Sequence, residues 1–141
     1  MLPESEIEVI RNEVKNEINN LIIGCESIDM ELAFKVFSKT SDFFMIASDG
    51  YYYDYQTFFN NNKNYLDNCS EFKLTTLKEE IKVLADDLVI VSWIYKAIAT
   101  LKTGEQDIWD KAGATFLFKK IADDWKVINY QESSLPPERK P

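Results

Sequence analysis

Acid–base chemistry at neutral pH needs a side chain that holds and releases a proton, and this sequence offers few candidates. It contains no histidine. That removes the commonest general acid/base and the commonest metal-binding imidazole together, and it excludes Ser-His-Asp and Cys-His mechanisms. Two cysteines, Cys25 and Cys69, stand at a spacing that matches no metal motif and read as free thiols. No metal set and no cofactor motif is expected. The best-placed carboxylate is Asp110, which shares an alternating phase with Ala112, Ala114, Phe116 and Phe118. Tyr95, on the preceding apolar stretch, is the hydroxyl that would work with it. The alternative for Asp110 is a strand-end surface charge paired with Lys111 or Lys96. Near the C-terminus, Asn129 and Gln131 are amides: they orient polar groups but cannot act as acid or base.

These residues lie in the last third of the chain, which reads as long strands. Leu88–Leu101 is apolar on both phases, with Val89, Val91, Trp93, Tyr95 and Ala97 on one and Ile90, Ile94 and Ile98 on the other. A strand buried on both faces is unusual in an antiparallel sheet. Gln106–Lys119 and Trp125–Ser134 alternate likewise, with turns at Thr103-Gly104 and Ala122-Asp123. From Ser70 the chain alternates too, but Phe72 and Leu74 are out of phase with Leu77, Ile81 and Val83. That slip predicts a bulge near Thr75-Thr76.

Ahead of the strands, Ile7, Ile10, Val14, Ile18 and Leu21 recur every three or four residues, the stripe of an amphipathic helix over Glu4–Ile23 with Gly24 as its stop. Ser27 or Asp29 caps a second helix carrying Leu32, Val36 and Phe37. Phe43–Ala47 and Tyr51–Tyr53 form a hairpin about Asp49-Gly50. Asp54 caps a third helix, Tyr55–Asp67, whose apolar stripe is interrupted at Asn62. The tail, residues 135–141, reads as loose.

With 141 residues the chain is the size of one domain. Its net charge of −8 argues against nucleic acid and anionic membrane, which need clustered Lys and Arg. No apolar run approaches membrane-spanning length. The N-terminus lacks the basic and apolar regions of a signal peptide. A cytoplasmic protein is expected, with a secreted form open if a leader was removed ahead of Met1.

Two helices, a hairpin, a helix and four long strands, together with Ala114-Thr115-Phe116-Leu117-Phe118-Lys119-Lys120, Ala122-Asp123-Asp124-Trp125-Lys126-Val127-Ile128 and Gln131-Glu132-Ser133, resemble the nuclear transport factor 2-like superfamily. The SnoaL-like branch of small stand-alone domains is the nearest in pattern. The resemblance covers about Ile7 to Ser134. It implies an α+β fold: a cone-shaped, highly curved antiparallel sheet packed on N-terminal helices, a cystatin-like roll with a pocket at its wide end. It also implies that the convex face pairs with a second subunit, as in many relatives. Many similar domains carry histidine where this chain has Gln131. Ketosteroid isomerase relatives need a carboxylate inside the cone, and Phe43–Ala47 supplies none.

A two-residue turn at Ala122-Asp123 would pair Lys120 with Trp125, Phe118 with Val127, Phe116 with Asn129 and Ala114 with Gln131. This register puts Trp93, Tyr95, Phe116, Asn129 and Gln131 around the pocket, with Asp110 at its mouth. It puts Ile90, Ile94, Ile98, Trp109, Leu117, Ile128 and Tyr130 on the convex face, an apolar patch larger than monomers expose. Glu132 falls on the opposite phase from the pocket, toward a partner subunit or solvent. The expectation is a homodimer that binds an unidentified small organic ligand. An isomerase, cyclase or dehydratase using Asp110 and Tyr95 is the alternative, and a structural dimerisation module the second alternative.

Overall fold

The stripe Ile10, Val14, Ile18 and Leu21 is buried in the computed structural model, which describes residues 2–141. Burying such side chains contributes about 1.5–3 kcal/mol each, and this face holds helix α1 (Glu4–Glu26) against the sheet. Glu4 and Glu6 lie in its first turn, where the helix dipole favours negative charge. Gly24 does not end the helix as expected. It is buried inside α1, and a β-carbon there would lie 2.2 Å from the Ala33 backbone nitrogen. Gly24 is therefore the contact point for helix α2 (Met30–Phe34), capped by Asp29, whose carboxylate accepts from the Leu32 N–H at 3.1 Å. The reversal between the two helices is made by Ile28, at φ +54°.

Strands β1 (Phe44–Ile46) and β2 (Tyr52–Tyr53) form the expected hairpin, and helix α3 (Tyr55–Asp67) follows. The Asp54 carboxylate caps α3 by accepting from the Thr57 N–H at 2.8 Å. Four long strands come next, β3 (Cys69–Ala85), β4 (Leu88–Leu101), β5 (Gln106–Ile121) and β6 (Asp124–Ser134). The sheet order is β2-β1-β6-β5-β4-β3. All pairings are antiparallel except β1 with β6, so the sheet is mixed rather than purely antiparallel. It curves strongly without closing around the helices, and the fold is an α+β roll of the expected kind. Val89, Val91, Trp93, Phe116, Phe118, Trp125 and Val127 fill its concave face. Among the described residues, no helix is long and apolar enough to cross a membrane.

Five register shifts interrupt the long strands, two at the ends of β3 and three farther inside the strands, and those three decide the facing of the side chains. In β3 the extra residue is Leu77, close to the expected slip, because Thr76 pairs with Tyr95 and Lys78 with Ile94. In β5 the pairing jumps from Tyr95–Ala112 to Ala97–Trp109, leaving an extra residue at Asp110-Lys111. In β6 the turn at Ala122-Asp123 forms with both residues at positive φ, and Lys120–Trp125 and Phe118–Val127 pair as expected. Leu117 then pairs with Asn129, so Ile128 is extra. The expected pairs Phe116–Asn129 and Ala114–Gln131 are replaced by Phe116–Tyr130 and Ala114–Glu132.

The tail is not loose. Glu138–Lys140 form a short strand β7 that pairs with Gln106–Ile108 of β5, continuing the line of β6 beyond Pro136-Pro137. A bidentate ion pair anchors it: Arg139 Nε and Nη2 donate to the Asp107 carboxylate at 2.7 and 2.8 Å.

Gly24→Ala inverts the usual rule for helix interiors, where alanine stabilises by about 1 kcal/mol. Here the methyl group meets backbone of α2, so the helices must separate. We expect a loss of about 2 kcal/mol or more, the scale of core overpacking, measured by urea denaturation with an unchanged m-value.

Candidate functional site

A cavity of about 250 Å³ opens where the concave face widens between α1, α3 and the sheet. Leu21 and Cys25 of α1 wall one side, and Asn62, Tyr65 and Leu66 of α3 another. The sheet contributes Phe72 and Leu74 from β3, Trp93, Tyr95 and Ala97 from β4, Trp109 from β5, and Tyr130, Glu132 and Ser134 from β6. A larger groove, about 1060 Å³, runs between α2, the start of α3 and the β5–β6 turn. Its charged groups, such as Lys35, Lys39 and Asp124, stand in solvent, whereas the smaller cavity encloses a carboxyl group among aromatic walls.

The bulges decide which residues reach the cavity. The one at Asp110-Lys111 turns Trp109 inward and Asp110 outward. Asp110 is 82% exposed, with Lys96 Nζ at 3.9 Å, so it does not stand at the pocket mouth. The bulge at Ile128 turns Tyr130, Glu132 and Ser134 inward. Gln131 is exposed on the outer face and does not line the cavity. Asn129 also points outward, donating from Nδ2 to the Phe44 carbonyl at 3.3 Å. Both assignments to the pocket fail for one reason: one extra residue reverses every later side chain in a strand.

Trp93 and Tyr95 line the cavity from β4, whose own alternation carries no extra residue. Their rings stack with centroids 4.2 Å apart, and the Trp93 indole N–H donates to Thr76 Oγ1 at 2.9 Å. Phe116 lies beneath the cavity, fully buried against Trp93 and Tyr130. Of the residues expected on the convex face, Ile90, Ile94, Ile98 and Leu117 are outside and partly buried, and Ile128 sits in the bulge. Trp109 and Tyr130 are inside, contrary to expectation, and Ile108, opposite Ile98, joins the outer patch instead.

Asn62, Tyr65, Trp109, Tyr130 and Glu132 were not assigned to the pocket from the strand phases. Asn62 carried a signal: it interrupts the apolar stripe of α3 where the helix faces the cavity, and its Nδ2 donates to the Phe58 carbonyl at 3.0 Å. The Tyr65 hydroxyl donates to Asp107 at 2.5 Å, joining α3 to the Arg139 pair.

Burial dominates the electrostatics. Desolvation pushes the Glu132 carboxyl above the ordinary range, with the Asp49 charge adding to the shift and hydrogen bonding from Tyr130 opposing it. Desolvation also raises Tyr95 and Tyr130, which therefore stay neutral donors. The Cys25 thiol is pushed up to about 12 by burial, so it is no nucleophile at neutral pH. Asp107 moves the other way: hydrogen bonds from Arg139, then those from Tyr65, hold it ionised against desolvation. The cavity thus combines neutral hydroxyl donors with one carboxyl group that burial biases toward its protonated form.

These shifts have opposite consequences for stability. Because Glu132 is raised, the folded state binds its proton more tightly than the unfolded chain. Its contribution therefore weakens as pH rises from about 4.3, the unfolded value, through the raised folded one. Glu132→Gln is expected to raise the thermal midpoint at pH 8 and to leave it unchanged at pH 4. Because Asp107 is lowered, its contribution is complete above about pH 3.9 and is lost as pH falls through the folded value. Arg139→Ala should lower the midpoint at pH 7 and narrow its gap to wild type in acid. Scanning calorimetry across pH checks both.

The family model for the calcium/calmodulin dependent protein kinase II association domain matches residues 47–136. No curated protein sequence matches the chain. Among solved structures, a nuclear transport factor 2-like superfamily protein from Salmonella enterica is 14% identical at a TM-score of 0.80, covering 91% of this chain and 92% of that one. A hexachlorocyclohexane dehydrochlorinase from Novosphingobium barchaimii is 10% identical at a TM-score of 0.79, covering 98% and 94%. A candidate calcium/calmodulin dependent protein kinase II association domain from Xanthomonas campestris is 17% identical at 0.73, covering 88% and 86%. At such identities the structures establish a common nuclear transport factor 2-like fold, and fold does not carry function. The family-model match extends over more than half of the chain, from the turn after β1 through β6, and on that ground the chain belongs to the calcium/calmodulin dependent protein kinase II association domain family.

Proposed function

We propose that this chain is a small-molecule-binding domain that works as a homodimer, with its ligand in the cavity between α1, α3 and the sheet. The observation that carries the reading is the convergence of Glu132, Tyr130, Tyr95 and Asn62 on one apolar, aromatic-walled space. Ligand sites typically have this composition, a mostly apolar wall with a few polar groups that fix orientation. Dimerisation uses the outer face, where Ile90, Ile94, Ile98, Ile108 and Leu117 are only partly buried in the single chain. An apolar sheet face of this kind needs cover, and self-association agrees with the description of the matching family.

A second reading is an enzyme in which Glu132 acts as general acid or base and Tyr95 or Tyr130 as hydrogen-bond donor. The raised carboxyl supports it, since such shifts gather at catalytic sites. Asp110 has no part in it, being in solvent beside Lys96. Turnover of any bound compound that disappears in Glu132→Gln while binding persists would favour the enzyme.

Thermal-shift screening with small organic compounds tests the cavity. Hits should stabilise the wild type and be lost in Ala97→Leu, which fills the space; hits that survive the filled cavity would place the ligand elsewhere. Light scattering tests the dimer: the wild type should run as a dimer and Ile94→Glu as a monomer, while a monomeric wild type would remove the outer-face interface.

A further inference from the structure

We infer that the cavity selects a small organic cation, an amine or quaternary ammonium compound, through the Glu132 carboxylate and the surrounding aromatic rings. The inference rests on the reading of this cavity as the ligand site and specifies the chemistry it accepts.

The sign of the charge comes first. No lysine or arginine lines the cavity, and Glu132 is its one acidic side chain. Among the described residues, no ion pair involves Glu132. Arg139, which shares Asp107 with the cavity residue Tyr65, is held in both arms by that carboxylate. An anionic ligand would meet a carboxylate with no cation to offset it. A neutral ligand leaves Glu132 to take up a proton, whereas a cation compensates the ionised form that burial disfavours. A cation supplies the missing partner.

The walls agree with the charge. Trp93 and Tyr95 stack on β4, and Tyr65 meets Trp109 edge to face across the cavity with centroids 6.1 Å apart. Tyr130 completes the set from β6. Several electron-rich rings around one carboxylate form an arrangement that attracts ammonium groups through the ring quadrupoles. The volume, about 250 Å³, is below the roughly 300 Å³ at which drug-sized pockets begin, so the cation is small. The net charge of −8 draws cations toward the molecule as a whole.

Isothermal titration calorimetry of the full chain with choline and with 3,3-dimethylbutan-1-ol, its uncharged carbon isostere, tests the inference. Choline should bind at least about tenfold tighter than the isostere, the margin expected of a charge-assisted contact in an aromatic site. Glu132→Gln should erase that margin with the fold intact by circular dichroism. Trp109→Leu should weaken choline by about three- to tenfold and the isostere less. Equal binding of the two compounds, or a choline preference that survives Glu132→Gln, would overturn the cation assignment while leaving the cavity as a ligand site. Binding of neither compound, together with no cavity-dependent hit in the thermal screen, would overturn both.

Discussion

Side chains on a strand alternate between two faces, so one unpaired residue reverses the facing of everything that follows it. The interior of this protein depends on that constraint three times. Leu77 absorbs the slip in β3, Asp110-Lys111 the slip in β5 and Ile128 the slip in β6. Each bulge also adds local twist and bends its strand, which is how a single sheet comes to wrap around helices. Curvature and side-chain facing are therefore two products of the same insertions. Where the sheet bends away from the helices the cavity opens, and the insertions place Trp109, Tyr130 and Glu132 there.

The cavity and the ion pair beside it differ in how they manage charge. Next to the cavity wall, the buried carboxylate Asp107 is satisfied by Arg139 and Tyr65, so β7 and α3 are tied to β5 through one acid. In the cavity, Glu132 lies near the Tyr95 and Tyr130 hydroxyls, which cannot neutralise it. Two carboxylates on the same concave side are thus pushed in opposite directions, one kept ionised by a cation and one biased toward its proton by burial. Such divergence follows from the partners alone: an arginine and a tyrosine at one acid, apolar and hydroxyl walls at the other.

The outer face of the sheet is ordered by the same register. Lys78 lies opposite Ile94, and Lys82 opposite Ile90, so basic residues of β3 border the apolar centre. Turning Trp109 and Tyr130 inward makes this surface less aromatic and more aliphatic than strand phases alone suggest. It remains a continuous patch of isoleucine and leucine on the face away from the helices. At the other end of the molecule, Gly24 allows α1 and α2 to meet backbone to backbone, which lets the short N-terminal layer cover the core without a longer second helix.

The amino-acid sequence by itself determined the class of fold, the order of the elements and most of the core. Apolar period, the caps at Asp29 and Asp54, and the two-residue turn at Ala122-Asp123 are local signals, readable wherever local preference and tertiary packing agree. It also determined, through the absence of histidine, what chemistry is excluded. The tertiary structure alone decided the bulges at Asp110-Lys111 and Ile128, because neither interrupts the local alternation: apolar or aromatic residues stand on both phases of these strands, and either facing looks plausible from the chain. It alone decided that the Pro136-Pro137 tail returns to β5, since the Arg139–Asp107 pair spans residues that no local pattern links. The carboxyl inside the cavity is Glu132 rather than Asp110 for that reason. Its position depends on one residue inserted at Ile128, and an insertion is recognised by what the partner strand pairs with, not by the sequence that carries it.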